Sequence, residues 1–188
     1  MQNTDEALIL SYRDGEKESI DTLFTRYLPA TYSFLVRLTN NENIAEDATS
    51  EAFYKAWKYL DRFNAKEPFK PWLFKIARNT AYDFLRKRKL FVFSDFETEE
   101  GENPILETLQ DMEPLPSEIF QRGLEKKVLL ETIKTLSPPE RELLTLYYEE
   151  ELTFKEIGDI LEKPLDTVKS QHRRILEKLR KRMPTMHH

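Results

Sequence analysis

Apolar residues recur at helical spacing along most of the chain, and no segment shows the alternation that is typical of a strand. In the N-terminal half this pattern predicts helices over residues 4–12, 19–39, 43–60 and 68–89. Pro29 predicts a kink in the second helix, Asn43 with Glu46 predicts a capping arrangement in the third, and Pro71 lies near the first turn of the fourth. We therefore predict an all-α protein whose first 90 residues bury one core.

The C-terminal half returns to the helical pattern after an interruption. Residues 91–116 have no sustained period and are rich in Glu, Asp and Pro, as is typical of a linker. A helix is predicted over residues 117–136, and Ser137 with Glu140 forms a capping box for the next helix. We therefore predict two small helical domains, residues 1–90 and 117–184, joined by an acidic linker over residues 91–116.

Residues 152–183 have the pattern of two helices joined by a short turn. Thr153 and Glu156 form a capping box, and Gly158 predicts that another helix crosses very closely, because only glycine lacks a Cβ. Pro164 disfavours helix for the residue before it, and the carboxylate of Asp166 suits the start of the second helix. This order is typical of a helix-turn-helix, which places its second helix in the DNA major groove.

The second helix of this unit has an apolar face and a polar face. Four apolar residues can turn inward, namely Val168, Ile175, Leu176 and Leu179. The outer face carries side chains that can hydrogen-bond base edges or phosphates, namely Thr167, Lys169, Ser170, Gln171, Arg173, Arg174 and Lys178. The alternative is an ordinary solvated amphipathic helix. The capping box, the proline turn and the polar face together favour DNA binding.

The net charge of −5 is unevenly distributed along the chain. Residues 61–90 contain nine basic and three acidic residues, and residues 152–188 contain nine basic and five acidic residues. Between these zones, residues 91–120 contain nine acidic residues and no basic one. This asymmetry indicates two nucleic-acid contacts that an acidic segment holds apart.

The first basic zone interleaves cations with aromatic residues, which are Phe69, Lys70, Trp72, Phe74, Lys75 and Arg78. Aromatic faces stack on unpaired bases and cations neutralise phosphates, so the zone suits single-stranded or melting DNA. The alternative is that the aromatic residues belong to the core and the cations are solvated. Leu73, Phe74 and Ile76 fit the core, whereas Arg78, Asn79 and the loop over residues 61–66 fit nucleic acid.

Several motifs, in this order along the chain, resemble those of extracytoplasmic-function (ECF) RNA polymerase sigma factors. The segment NIAEDATSEAFYKAWKYLDRF resembles their region 2.2, and WLFKIARNTAYDFLRKRK resembles their region 2.3–2.4. The segment SPPERELLTLYYEEELTFKEIG resembles their region 4.1, and the helix-turn-helix resembles their region 4.2. The resemblance covers nearly the whole chain. We therefore expect residues 1–90 to be sigma region 2 and residues 117–184 to be sigma region 4.

The resemblance implies a cytoplasmic, dissociable subunit that gives bacterial RNA polymerase core its promoter specificity. Region 2 would bind the clamp helices of the β′ subunit and open the −10 element of promoter DNA. Region 4 would bind the flap of the β subunit and recognise the −35 element. The linker would lie in a cationic channel of the polymerase, and an anti-sigma factor is a further implied partner.

The resemblance also implies three sets of site residues. The core-polymerase-binding residues would be Asp47, Glu51, Tyr54 and Trp57. The −10 residues would be Asp61, Arg62, Phe63, Asn64, Lys66, Phe69, Trp72, Lys75, Arg78 and Asn79. The −35 residues would be Thr167, Lys169, Ser170, Gln171, Arg173, Arg174 and Lys178.

Four positions depart from the family's usual pattern. Family members often have Gln where Ser50 stands, which bears on one polymerase contact. They often have Gly where Glu162 and Asp166 stand, in and after the turn. The common Arg after Ser170 is Gln171 here, which we expect to alter the preferred −35 bases.

Composition and motifs bear on the other possible classes of protein. The absence of cysteine excludes disulfides and thiolate zinc sites, and no apolar run approaches 18 residues, so we expect no membrane insertion. We predict no cofactor and no metal. A stand-alone helix-turn-helix transcription regulator remains an alternative. A nuclease that uses Glu46, Asp47 and Glu51 as metal ligands is another, but no supporting histidine accompanies these acids, so we predict that the protein is not an enzyme.

Overall fold

The computed structural model describes residues 4–92, 133 and 135–182, without the side chains of residues 89–92 and 182. The helices of this part of the chain are α1 (Asp5–Arg13), α2 (Glu18–Thr39), α3 (Glu42–Tyr59), α4 (Phe69–Val92), α5 (Pro138–Leu144), α6 (Phe154–Leu161) and α7 (Leu165–Arg182). A 3-10 turn, Leu60–Arg62, follows α3, and a π-turn, Thr145–Glu149, follows α5. The described residues include no strand, which confirms the all-α prediction.

Side-chain caps fix the starts of four helices. Thr4 caps α1, and capping boxes of Ser137 with Glu140 and of Thr153 with Glu156 begin α5 and α6, the last two as predicted. The predicted cap at Asn43 is wrong. The cap of α3 is Asn41, whose side chain accepts a hydrogen bond from the Ile44 N–H at 2.9 Å. Asn41 can act in this way because its backbone is extended, whereas Asn43 already lies inside the helix.

The first of two core clusters lies wholly within the N-terminal helices. It joins α1 and the start of α2 to the end of α3 and the start of α4. Its fully buried members include Ile9, Leu23, Leu60 and Phe69. The helix α2 continues through Pro29 without a break. Together these contacts place α3 and α4 side by side, which positions the loop between them.

The second core cluster joins the two halves of the chain, which the sequence analysis did not predict. It contains Phe34 of α2 and Phe74 of α4 together with Leu143, Ile157 and other apolar residues of the C-terminal helices. The helix α6 packs along α4. The C-terminal helices therefore share a core with α2 and α4.

The helix α4 ends at Val92, three residues beyond its predicted end. The rest of the predicted linker lies outside the described residues, as does the predicted helix over residues 117–136 except for Ile133, Thr135 and Leu136. No helix among the described residues is both long enough and apolar enough to cross a bilayer.

Candidate nucleic-acid interface

Gly158 predicts a close approach by another helix. The structure shows a close approach, but the nearest atom lies in the turn between α6 and α7. A Cβ on Gly158 would lie 2.8 Å from the backbone carbonyl oxygen of Lys163, within the turn, whereas the nearest atoms of α7, in Val168 and Leu165, would be 3.9 and 4.0 Å away. The same residues are linked by a hydrogen bond from the Lys163 N–H to the Gly158 carbonyl at 2.9 Å. Glycine is therefore required because the turn folds back onto its own helix.

Glu162 ends α6 in the left-handed region, with φ of 55°. A residue with a Cβ pays about 1–2 kcal/mol to adopt this conformation, which explains why glycine suits the position. The carboxylate of Glu162 lies 3.5 Å from the Lys75 ammonium of α4. The turn of the helix-turn-helix is thus in contact with the other basic zone of the chain.

The outer face of α7 presents most of the residues predicted for the −35 element. Lys169, Ser170, Arg173 and Arg174 are exposed, while Thr167 and Gln171 are half-buried. The Lys163 ammonium donates a hydrogen bond to Oε1 of Gln171 at 3.1 Å, which fixes the orientation of that amide. Val168, Ile175 and Leu179 are buried beneath this face, as predicted.

Lys178, a further predicted −35 residue, is paired with an acidic residue of another helix. Its ammonium is hydrogen-bonded to Glu140 at the start of α5. This hydrogen bond is the main reason why the pKa of the Glu140 carboxyl is lowered from its usual value. A DNA phosphate would have to compete with Glu140 for Lys178.

The helix α7 also carries a histidine that belongs to an aromatic cluster. His172 packs against the rings of Tyr147, Tyr148 and Phe154 and lies 3.2 Å from the Tyr148 hydroxyl. Burial lowers the pKa of the His172 imidazole. In the sequence, the adjacent residues Tyr147 and Tyr148 are the feature that could have indicated this cluster. The π-turn that brings them against α7 has no recognisable sequence pattern.

Two residues predicted for the −10 element are core residues in this structure. Phe69 is 1 % exposed and Phe63 is 5 % exposed, and their rings pack on each other and on Trp72. Their buried faces are not available for stacking on bases. Instead they anchor the two ends of the loop between α3 and α4, because each fills the N-terminal core.

The loop that Phe63 and Phe69 anchor is held by further hydrogen bonds. The guanidinium of Arg13 donates to the carbonyl oxygen of Leu60 at 2.7 Å and also to that of Phe63. Sequence reasoning missed Arg13, because a contact between residues this far apart along the chain leaves no local pattern. The loop presents its remaining predicted residues to solvent, namely Asp61, Arg62, Asn64 and Lys66.

Along α4, the remaining predicted −10 residues other than Asn79 are half-buried. Asn79 is exposed and Trp72 is half-buried. Lys75 faces Glu162, and Nε of Arg78 donates to Oε1 of Glu142 at 2.7 Å. The two predicted −10 cations of α4, Lys75 and Arg78, are therefore paired with carboxylates of the C-terminal half.

A third surface lies on α3. Tyr54 and Trp57 are 53 % and 50 % exposed, with ring centroids 6.0 Å apart. Glu51, about one turn before Tyr54, is half-buried, and Asp47, about two turns before it, is exposed. The indole N–H of Trp57 donates to the Tyr12 hydroxyl at 3.0 Å. These side chains form one aromatic and acidic face, and its exposed aromatic residues are typical of a protein-binding surface.

Comparison with known families matches both halves of the chain. Residues 23–91 match the Sigma-70 region 2 model, and residues 132–181 match the Sigma-70, region 4 model. These two regions in one chain define the sigma-70 class of proteins. The match over residues 23–91 also means that the stand-alone regulator is not favoured.

Curated relatives narrow this class to one family. The chain is 30% identical to the ECF RNA polymerase sigma-E factor of Haemophilus influenzae over 172 residues, which cover 90% of each chain. It is 30% identical to the ECF RNA polymerase sigma factor SigW of Bacillus subtilis over 177 residues, which cover 93% of this chain and 94% of SigW. The chain belongs to the ECF family of RNA polymerase sigma factors.

Solved structures share the fold. The sigma factor RpoE in complex with the anti-sigma factor NepR, from Bartonella quintana, aligns with a TM-score of 0.66 at 22% identity, over 90% of this chain and 99% of RpoE. CnrH in complex with the cytosolic domain of CnrY aligns with a TM-score of 0.62 at 19% identity, over 97% of this chain and 99% of CnrH.

Proposed function

We propose that this chain is a sigma factor that binds bacterial RNA polymerase core, recognises a −35 element through α7 and opens a −10 element through α4 and the loop before it. The observation that carries this proposal is the presence of both sigma regions in one chain, each with an exposed polar or aromatic surface. Each module alone would bind DNA weakly. Core polymerase would hold the two at a fixed spacing, so that their affinities combine through effective concentration.

The proposed roles of α7 and of the loop before α4 follow from the chemistry of their exposed side chains. The exposed side chains of α7 suit base edges in the major groove, where Arg pairs with guanine and Ser with several bases. The loop residues Arg62, Asn64 and Lys66 suit the backbone and the bases of unpaired DNA, next to the half-buried ring of Trp72. Capture of an unpaired base would stabilise the melted −10 element.

The face of α3 is the proposed contact with core polymerase. It combines Tyr54 and Trp57 with the acidic Asp47 and Glu51, and large aromatic residues are enriched in the energetically dominant parts of protein interfaces. An anti-sigma factor is a further proposed partner. One protein of the same fold, the sigma factor RpoE, was determined in complex with the anti-sigma factor NepR.

The first experiment is a gel shift on promoter fragments with and without purified core polymerase. We expect a sequence-specific complex only when both the chain and core are present, because neither DNA-binding module is sufficient alone. A tight, sequence-specific complex without core would support the stand-alone regulator instead.

A second experiment tests the role of α7. Arg174→Ala should reduce the affinity of the holoenzyme by about 1–3 kcal/mol at particular −35 positions and relax the base preference there. Competition binding on a library of single-base −35 variants measures this effect. A uniform loss over all −35 sequences would mean that Arg174 contacts only phosphate. Lys181→Ala, at an exposed cation further along α7, is the matched control.

A further inference from the structure

Lys163 lies in the turn of the helix-turn-helix, between the end of α6 at Leu161 and the start of α7 at Leu165. It is half-buried, and its ammonium donates a hydrogen bond to Oε1 of Gln171 at 3.1 Å. Lys163 is not among the residues predicted for the −35 element, whereas Gln171 is. The hydrogen bond therefore links the turn to a residue of the predicted DNA-binding face.

The backbone of Lys163 is held in place on both sides. Its N–H donates to the Gly158 carbonyl at 2.9 Å, and its carbonyl oxygen would lie only 2.8 Å from a Cβ on Gly158. The next residue, Pro164, has a fixed φ and accepts hydrogen bonds from the N–H groups of Thr167 and Val168 at 2.9 and 3.1 Å. The Lys163 side chain therefore extends from a rigid base, which a side chain needs in order to position another one.

The charge of the ammonium determines which end of the Gln171 amide it contacts. A protonated lysine has three donors and no acceptor, so it bonds the oxygen of an amide and not the amino group. With Oε1 directed to Lys163, the Nε2 amino group is the end that is left for a partner outside the chain. Lys75 and Lys178 are paired with carboxylates, but among the described residues no carboxylate pairs with the Lys163 ammonium.

Gln171 has neighbours on α7 that face outward. Ser170 precedes it directly, Arg174 follows it by about one turn, and both are exposed. Thr167 lies about one turn before it and is half-buried. Positions three and four residues apart lie on one face of a helix, and base edges are contacted from the N-terminal part of a recognition helix. Gln171 is therefore placed where the orientation of its amide would matter for base recognition.

We propose that Lys163 is a positioning residue for −35 recognition, which sets the base preference of Gln171 by keeping its amide oxygen occupied. This inference rests on the proposed function of α7 in recognising the −35 element. A free glutamine pairs with adenine through two hydrogen bonds, in which its oxygen accepts from N6 and its nitrogen donates to N7. Beside Lys163 the oxygen is already engaged, and the positive ammonium opposes the approach of the N6 amino group.

Guanine is the base that fits the oriented amide. Its major-groove edge carries two acceptors, N7 and O6, and no amino group. Adenine carries one acceptor beside an amino group, thymine carries one acceptor beside a methyl group, and cytosine carries only an amino group. We therefore expect Gln171 to read guanine while Lys163 is present, and adenine to gain when Lys163 is replaced.

Competition binding measures this preference on holoenzyme formed from the full chain and purified bacterial core polymerase. The competitors are promoter fragments that carry each base in turn at every −35 position. Gln171→Ala identifies the position that Gln171 reads, as the one whose base preference this variant removes. At that position wild type should favour guanine over adenine by about fivefold or more, the lower end of what one well-paired side chain provides.

The first test variant is Lys163→Met, which removes the ammonium and keeps a long side chain. The preference for guanine over adenine at the Gln171 position should fall below about twofold or reverse, while preferences at the other −35 positions stay unchanged. Lys163→Arg, whose guanidinium also donates to an amide oxygen, should restore at least about half of the wild-type preference. A loss of stability alone would lower the affinity for all fragments alike.

A double-variant cycle tests whether Lys163 acts through Gln171. In a chain that already carries Gln171→Ala, Lys163→Met should have no further effect on base preference at this position. An effect that persists there would mean that Lys163 contacts the base itself. A uniform loss of affinity without a change in preference would mean that it contacts phosphate. Either result would overturn the proposal.

Lys155→Met is the matched control. Lys155 is exposed on α6, so the change removes the same charge from the same helix-turn-helix. It should leave the preference at the Gln171 position unchanged, and a shift as large as that of Lys163→Met would overturn the proposal. Circular dichroism checks that each variant keeps its helical content. Should Lys163→Met lose helix, Lys163→Ala serves in its place, with Lys155→Ala as its control.

Nuclear magnetic resonance on the free, full-length chain tests the hydrogen bond without DNA or polymerase. The side-chain amide signals of Gln171 are identified by their loss in Gln171→Ala. Their relaxation should show restricted motion in wild type, freer motion in Lys163→Met and restricted motion again in Lys163→Arg. Equal mobility in the three proteins would overturn the proposal, because an amide that Lys163 does not hold cannot be oriented by it.

These measurements separate the inference from the function on which it rests. A chain that forms no core-dependent promoter complex would contradict the proposed sigma function, and the inference with it, even where the Gln171 amide is held. A holoenzyme with clear −35 preferences would overturn the inference alone in either of two cases. In one, wild type favours adenine at the Gln171 position. In the other, Lys163→Met leaves the preference there unchanged.

Discussion

His172 shows how a single side chain can couple stability to pH. Burial lowers its pKa, so the folded chain keeps the imidazole neutral at a pH where the unfolded chain begins to bind a proton. The stabilising effect of the neutral form is therefore fully present above the ordinary pKa of about 6.5 and is lost as the pH falls below it.

We predict that His172→Gln weakens this dependence. When the pH is lowered from about 7.5 to about 5.5, across the ordinary pKa of histidine, the free energy of unfolding should fall further in wild type than in the variant. Urea denaturation at the two pH values measures the difference. An identical fall in both proteins would show that His172 does not carry the effect.

Individual residues also mark the limit of what the sequence alone predicted. The apolar stripe of α7 and the two capping boxes were predicted because their signals are local spacings. Phe63 and Phe69 were placed with the DNA-binding residues because an aromatic residue beside cations looks the same whether it stacks on bases or fills a core. The spacing of Phe69 to Leu73, one helical turn, was the available signal that both residues are buried.

Among the elements, the helix-turn-helix depends most directly on one glycine. Gly158→Ala would place a Cβ 2.8 Å from the Lys163 carbonyl oxygen, which belongs to backbone and cannot rotate away. The turn would have to shift, and the angle between α6 and α7 would change with it.

We expect Gly158→Ala to lower the free energy of unfolding by about 1–3 kcal/mol, as overpacked sites do, and to weaken −35 binding as well. Urea denaturation and a gel shift with core polymerase measure the two effects. Asp159→Ala, at the exposed neighbour, should change stability by no more than about 0.5 kcal/mol. Equal stabilities of the two variants would contradict this account of the turn.

The bounds of most described helices could be predicted from periodicity, but two elements could not. The π-turn after α5 has no recognisable sequence signal, and the residues buried in and beside it, Leu146 and Leu152, belong to the core that the two halves of the chain share. The start of α3 was misplaced because two asparagines stand close together, and only the backbone conformation decides which of them caps the helix.

At the scale of the whole molecule, charged residues of the two halves of the chain contact each other, which the sequence analysis did not predict. The distribution of charge along the chain indicated two basic zones separated by an acidic segment. The structure shows that acids of the C-terminal helices, Glu142, Glu150 and Glu162, pair directly with cations of α4. Such long-range pairs leave no local pattern, so the arrangement of the two halves could not be predicted from spacing.

The sigma function itself is the central claim, and run-off transcription tests it most directly. Purified bacterial core polymerase is incubated with a library of randomised promoters, with and without the chain. We predict chain-dependent transcripts from templates that share two conserved blocks at one fixed spacing, one block near −35 and one near −10. Transcription no greater than that of core alone, or enrichment of a single block without fixed spacing, would contradict the account.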